Sequence, residues 1–173
     1  MKFQNDIELI LSKEIFQELK QCVEKARPNE ACGIVFGHIK QEKKKEGLDD
    51  FHYLYIGEKF GCIKSDKRST VSFLIENIEK LHETIQNMIG ELSIDTKMRL
   101  ISIFHSHPSG SYPSNVDLNN MKFLDNFSSV DHNFVSKAFK NLIWSIMDSI
   151  SFEINCFIYL ESELLKVNVK IDE

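Results

Sequence analysis

The sequence predicts a layered α/β domain, in which a mixed central sheet is flanked by two or three helices. Apolar, β-branched runs recur along the chain, and the run at residues 98–104 fits a central strand that is covered on both faces. Two stretches repeat apolar residues at intervals of three and four, which is the pattern of an amphipathic helix. Because strands interrupted by helices pack as layers around one core, these observations favour this fold class.

Length and composition indicate a single domain over residues 1–173. Of the 173 residues, 42% are hydrophobic and 27% are charged, with 7 Gly and 3 Pro. This size supports one sizeable core, and this composition excludes collagen-like, low-complexity and wholly disordered classes. Residues 59–69 and 127–140 fit no clear strand or helix pattern and are candidate inserts.

The charge balance and the cysteines restrict the class of protein further. The formal net charge is −5, which gives no general attraction to nucleic acid or to an anionic membrane, so we expect neither as a partner. No apolar run approaches the roughly 20 residues of a spanning helix, and the N-terminal residues lack the features of a signal peptide. A cytoplasmic protein with reduced thiols is the expectation, because no C-x-x-C motif joins the four cysteines, Cys22, Cys32, Cys62 and Cys156.

In the first half of the chain, the pattern predicts a strand, a helix and a hairpin. Residues 7–11 form the strand, Ser12 caps the helix, and Pro28 ends it. The hairpin has strands at residues 31–39 and 51–58, joined by a charged, lysine-rich loop.

In the second half, two helices and four strands are expected. The helices span residues 75–92 and 114–126, on either side of the central strand. Three further strands are predicted towards the C-terminal end, at residues 142–147, 151–160 and 164–171.

The central strand ends in a motif with two histidines, His105 and His107. Side chains at positions i and i+2 of a strand point to the same face, so these two imidazoles project together. Two adjacent imidazoles can hold a cation such as zinc, and Asp117 could complete a set of three ligands with the fourth position open to water. An H-x-H pair also arises by chance, so the motif alone leaves a non-metal interpretation open.

Two other polar residues, Ser114 and Glu30, bear on this hypothesis of a metal site. Ser114 and Asp117 have the spacing of a capping box, so Ser114 can cap a helix while Asp117, one turn in, points at the metal. Glu30 lies just before a buried strand, where a carboxylate must be paired, solvated in a cleft or used in chemistry. Taken alone, Glu30 is more typical of an exposed acid at a strand edge than of a catalytic residue.

Together these residues resemble the signature of the JAMM (MPN-plus) zinc metallopeptidases. The matching elements are Glu30 within P-N-E-A-C-G, then His105-Ser106-His107-Pro108, then Ser114-x-x-Asp117. The resemblance covers residues 7–126, and the C-terminal third agrees only in its strand pattern. The family usually has one more residue between the second histidine and the serine than the six residues 108–113 found here.

The resemblance implies an MPN-like, cytidine-deaminase-like fold and one Zn²⁺ per chain. It assigns the zinc ligands to His105, His107 and Asp117. Glu30 becomes the general acid/base, and Ser114 the hydroxyl donor that stabilises the oxyanion. Zinc in such a site lowers the pKa of bound water to about 7, so a nucleophile forms at neutral pH.

The activity implied is that of a deubiquitinase-like isopeptidase, a zinc metalloprotease. Such enzymes hydrolyse the bond between the C-terminal glycine of a ubiquitin-like protein and a lysine amine, so the expected partner is a ubiquitin-like protein or its conjugates. We expect residues 59–69 and 127–140 to flank the groove that takes this extended tail.

Two alternatives stay open at this stage. A compact metallopeptidase could instead process a sulfur-carrier protein or a small peptide. A non-catalytic scaffold domain of the same fold is the second alternative, although inactive members lose metal ligands and none is missing here. A zinc nucleoside deaminase is excluded because the sequence lacks H-x-E and P-C-x-x-C.

Overall fold

Seven strands and three helices make up the described part of the chain. The structure, a computed structural model, describes residues 2–43, 51–63, 78–95, 97–130 and 139–172. In chain order the elements are β1 (Lys2–Ser12), α1 (Lys13–Ala26), β2 (Cys32–Lys43), β3 (Phe51–Ile63), α2 (Ile78–Glu91), β4 (Arg99–His107), α3 (Asn115–Val130), β5 (Ile143–Asp148), β6 (Ile154–Leu160) and β7 (Glu163–Asp172). None of the helices in these ranges is long and apolar enough to cross a membrane.

Helix α1 begins and ends where the sequence predicts. The Ser12 hydroxyl accepts a hydrogen bond from the Ile15 N–H at 3.3 Å, which satisfies one of the free donors of the first turn. The helix ends at Ala26, two residues before Pro28. Its buried face consists of Ile15, Leu19, Cys22 and Val23.

The sheet is mixed, as predicted, and it closes on itself. Its strand order is β1-β3-β2-β4-β5-β6-β7, with β1 parallel to both β3 and β7, and β4 parallel to β5. The remaining neighbours are antiparallel. The closure through β1 and β7 is a feature that the predicted central sheet with flanking helices did not include, because it joins strands at opposite ends of the chain.

Each face of the sheet has its own apolar core. Alternating residues of β5 show this division: Ile143 and Met147 pack in the cluster that contains α1, while Trp144 and Ile146 pack in the cluster that contains α2 and α3. Successive side chains of a strand point to opposite faces, so β5 contributes to both clusters. The expectation that the adjacent strand β4 is covered on both faces is confirmed as well, since the successive residues Ile103 and Phe104 belong to the second and the first cluster, respectively.

Several element boundaries differ from those expected. Residues 59–63, expected to belong to an insert, form the end of β3, and residues 64–69 lie outside the described residues. Residues 127–130 form the last turn of α3, and residues 131–138 lie outside the description. Strand β6 starts at Ile154 because a turn occupies the residues expected to begin it.

The expectation of four reduced thiols is wrong for two of the cysteines. Cys22 and Cys62 form a disulfide, with their Cα atoms 5.8 Å apart, and it joins α1 to the end of β3. The two residues are 40 positions apart, so only the packing of α1 against β3 brings them together. Cys32 and Cys156 are free and buried.

Two glycines give a direct test of the β2–β3 pairing. A Cβ atom on Gly37 would lie 1.9 Å from the carbonyl oxygen of Ile56, so we expect Gly37→Ala to destabilise the protein by about 2–3 kcal/mol. Gly90, near the end of α2, has no atom within 4 Å of such a Cβ, so Gly90→Ala should stabilise by about 0.5 kcal/mol. Denaturant unfolding of both variants measures the difference, and equal stabilities would contradict this packing of β2 on β3.

Candidate metal centre

The predicted ligands meet where β4 ends and α3 begins. His105 and His107 are two residues apart at the end of β4 and project from the same face. Asp117 lies in the first turn of α3. His105 is 2% exposed and Asp117 is 6% exposed, so the group is largely removed from solvent.

The three side chains direct their polar atoms towards one another. The Nε2 atoms of His105 and His107 are 3.1 Å apart, and each lies 3.1 Å from an oxygen of the Asp117 carboxylate. Ligands about 2.0–2.1 Å from a tetrahedral zinc ion are separated from one another by about 3.3 Å. Each histidine lies near this spacing from one carboxylate oxygen, Oδ1 for His105 and Oδ2 for His107, so the three side chains are close enough to share one ion. The donor set is one that zinc accepts.

The electrostatics of the group favour an ionised carboxylate. Burial alone would raise the pKa of Asp117, but its hydrogen bonds with His105 and His107 outweigh burial and hold that pKa well below its usual range. The hydrogen bond to Asp117 in turn raises the pKa of His107, against the effect of burial. The group therefore carries a negative charge on a buried oxygen ligand, which is the condition for holding a cation.

Ser114 and Asp117 form the predicted reciprocal cap at the start of α3. The Asp117 N–H donates to the Ser114 hydroxyl at 3.2 Å, and the Ser114 N–H donates to the Asp117 carboxylate at 2.7 Å. The second bond fixes the rotamer in which Asp117 faces the histidines. The Ser114 side chain is exposed, so its hydroxyl remains accessible from solvent.

Glu30 lies beside this group, partly buried. Burial raises the pKa of its carboxyl, and the charges of His105 and His107 oppose this shift. The β2–β4 ladder explains the proximity, because its first pair joins Cys32 to His105 and thus brings the residues before β2 to the end of β4.

Ser106, the residue between the two histidines, was expected from the sequence to act through its backbone or through packing rather than in chemistry, and the structure shows which contacts it makes. Its hydroxyl accepts a hydrogen bond from the Ala31 N–H at 2.9 Å, and its own N–H donates to the Ala31 carbonyl at 3.0 Å. These two bonds fix the residue that follows Glu30 against the strand that carries the histidines. The sequence feature that could have indicated these contacts is a small hydroxyl residue between the two histidines of the H-x-H motif.

Cys32 does not have the properties of a nucleophile. It is 2% exposed, and burial raises the pKa of its thiol to about 12. The thiolate that would attack a substrate is therefore scarce at neutral pH.

Comparisons with known proteins identify the family. The sequence of residues 12–130 matches the family described as prokaryotic homologs of the JAB domain. This range includes all five predicted site residues. The chain belongs to this family, and its site lies within the JAB domain. A search of curated proteins finds no match.

Two solved structures are similar to this chain, and the first of them shares its fold. The solution structure of protein DSY2949 from Desulfitobacterium hafniense has a TM-score of 0.60 and 18% identity, over 95% of this chain and 93% of that one. AF2198, a JAB1/MPN domain protein from Archaeoglobus fulgidus, is 14% identical with a TM-score of 0.44, over 99% of this chain and 100% of that one.

We predict that Asp117→Ala loses the metal without losing the fold. Removal of one of three ligands should weaken zinc binding by more than about 100-fold, while the two apolar cores keep a cooperative thermal transition. Metal analysis and calorimetry of the same preparation measure both effects. Asp125→Asn, on the same helix, is the matched control and should bind zinc like the wild type.

The contacts of Ser106 predict a local loss of stability. Ser106→Ala leaves the buried Ala31 N–H without its acceptor and should cost about 1–3 kcal/mol, whereas Ser106→Thr keeps the hydroxyl and should cost less. Zinc affinity should change little in either variant. Equal unfolding free energies for the alanine and threonine variants would argue against this role of the hydroxyl.

Proposed function

We propose that this protein is a zinc-dependent isopeptidase that releases a ubiquitin-like protein from a lysine amine. The observation that carries this proposal is the convergence of His105, His107 and Asp117, with Glu30 beside them. Three protein ligands leave a fourth tetrahedral position free, which is typical of catalytic rather than structural zinc sites.

Each residue has a role that matches its surroundings. His105, His107 and Asp117 would hold a zinc ion, which would act as a Lewis acid and make a water molecule more acidic. The carboxylate of Glu30 takes the proton of the attacking water and returns it to the leaving amine. The exposed hydroxyl of Ser114 donates a hydrogen bond to the carbonyl oxygen of the scissile bond as negative charge develops there.

The edge of β3 supports the choice of an extended polypeptide as substrate. The register of β1 with β3 covers residues 53–56, so in the described residues no strand pairs with positions 57–63 on that side. Ile63 is level with Cys32, and Cys32 with His105, so this edge leads towards the metal group. A glycine-rich tail that adds as a strand here would bring its terminal carbonyl to the site.

A cleavage assay tests the activity directly. Purified protein should release the lysine-bearing product from a ubiquitin-like conjugate, and a chelator should abolish this release until zinc is restored. His107→Ala is the matched inactive variant, and His38→Ala, on the exposed part of β2, is the control for loss of a histidine elsewhere. Conjugates that stay intact while sulfur-carrier or short peptide substrates are cleaved would favour the alternative metallopeptidase. No cleavage of any of them, by protein with full zinc, would favour a scaffold.

For Glu30, we predict that Glu30→Gln lowers turnover by about 10²–10⁴-fold while zinc content stays at one per chain. The amide keeps the shape of the side chain but cannot accept the water's proton. Single-turnover cleavage and metal analysis on one preparation measure both quantities. Full zinc with full activity would show that another group acts as the base.

A further inference from the structure

The turn between β5 and β6 contacts the loop that follows His107. The Asp148 carboxylate accepts hydrogen bonds from the N–H groups of Ile150 at 2.7 Å and Ser151 at 2.8 Å, both within the turn. Its second oxygen accepts from the N–H of Gly110, in the loop that leads from His107 to α3. One carboxylate thus closes the turn and binds the loop.

Ser149, the next residue of this turn, makes two more bonds to the same part of the chain. Its N–H donates to the carbonyl of His107 at 2.9 Å, and its hydroxyl donates to the carbonyl of Pro108 at 3.2 Å. Asp148 and Ser149 therefore bind the backbone of the first part of the loop, from His107 to Gly110. The second half is held by other residues, since Asn155 donates to the Ser111 hydroxyl at 2.7 Å.

The same turn also contacts the segment that carries Glu30. The guanidinium of Arg27 donates to the carbonyl of Ser149 and lies 5.7 Å from the centre of the Phe152 ring. The ammonium of Lys20, on α1, lies 5.4 Å from that ring. Two cations on one aromatic ring hold the end of α1, and with it the residues before β2, against the turn.

We propose that the β5–β6 turn, residues 148–152, is a positioning element. It fixes the loop between His107 and α3 relative to the segment that carries Glu30. Asp148 and Ser149 hold the loop, and Ser149 and Phe152 hold Arg27. The metal ligands His107 and Asp117 and the proposed base Glu30 come from distant parts of the chain. Because both segments bind the β5–β6 turn, their motion relative to each other is restricted. This inference rests on the metal site of the proposed function, but not on the identity of the substrate.

The chemistry of Asp148 fits this role. The N–H groups of Ser151, Gly110 and Ile150 lower the pKa of Asp148 to about 2, so it is ionised in all ordinary buffers. An ionised carboxylate has two acceptor oxygens, and this position uses both. An asparagine has only one, which makes it a selective probe.

Asp148→Asn should cut the link to the loop and leave the turn intact. The amide oxygen can still accept from Ile150 and Ser151, as asparagine does in many turns, but the amide nitrogen would face the Gly110 N–H, donor against donor. Ser151→Ala is the matched control, because its hydroxyl bonds to the Glu153 N–H and to the Asp148 carboxylate, both within the turn, and its loss leaves the bond from Asp148 to the loop in place.

Hydrogen exchange and zinc competition, both on the full chain, test the inference. In Asp148→Asn the Gly110 amide should exchange roughly ten-fold faster, and zinc affinity against a chromophoric chelator should fall about ten-fold. Ser149→Ala, a milder variant, should shift both in the same direction by less. Ser151→Ala should match the wild type in both.

Wild-type exchange at Gly110 and wild-type affinity in Asp148→Asn would overturn the inference, as would equal changes in Ser151→Ala. Arg27→Gln gives the complementary result, with faster exchange at Asn29 and Ala31 and unchanged zinc affinity. Neither readout depends on cleavage, so a protein that binds zinc but cleaves no conjugate would refute the proposed function and leave this test intact. If zinc does not bind, hydrogen exchange at the Gly110 amide of the metal-free protein still shows whether Asp148 holds the loop.

Discussion

The site depends on the antiparallel pairing of β2 with β4. That register sets Cys32 opposite His105, and the two hydrogen bonds between Ser106 and Ala31 extend it by one residue beyond the ladder. Without this pairing, Glu30 would have no fixed relation to the histidines, because about 75 residues of chain separate them. A slip of one residue would also turn both histidines to the opposite face of the sheet.

The interior around the site shows why the ligands must stay together. His105 packs edge-on against Trp144, with ring centres 6.3 Å apart, and Trp144 belongs to the apolar cluster that contains α2 and α3. A carboxylate and two imidazoles are costly to bury singly, and each offsets part of the cost for the others. The cap by Ser114 adds a backbone donor to the same carboxylate, so the start of α3 contributes both geometry and electrostatics.

Much of this arrangement could be predicted from the sequence, because local patterns carry it. The H-x-H spacing, the capping box of Ser114 and Asp117, and the apolar run of β4 each arise within a few residues, and the structure brings those residues together. Grouping Glu30 with them required the resemblance to a family, since an acid before a strand has several interpretations. The roles assigned to these residues in catalysis stay predictions.

What could not be predicted depends on contacts between distant segments. The disulfide of Cys22 with Cys62 follows from the packing of α1 on β3, for which no spacing rule exists. The contact of Asp148 with Gly110 joins two loops that are 38 positions apart, and an aspartate in a turn has no feature that indicates its second partner. The periodicity of apolar residues also locates the strands along the sequence but does not give their order across the sheet. It therefore could not show that the sheet closes.

That closure bears on how the chain acquires its structure during synthesis. Strand β1 is made first, yet one of its two neighbours, β7, is made last, with pairs from Lys2–Leu165 to Ser12–Asp172. One edge of β1 therefore stays unpaired with β7 until all the strands between them have been synthesised. Pairings of such long sequence separation form slowly and leave strand edges open to other chains. In this fold, the burden on chaperones should be greatest on nascent chains that end before β7.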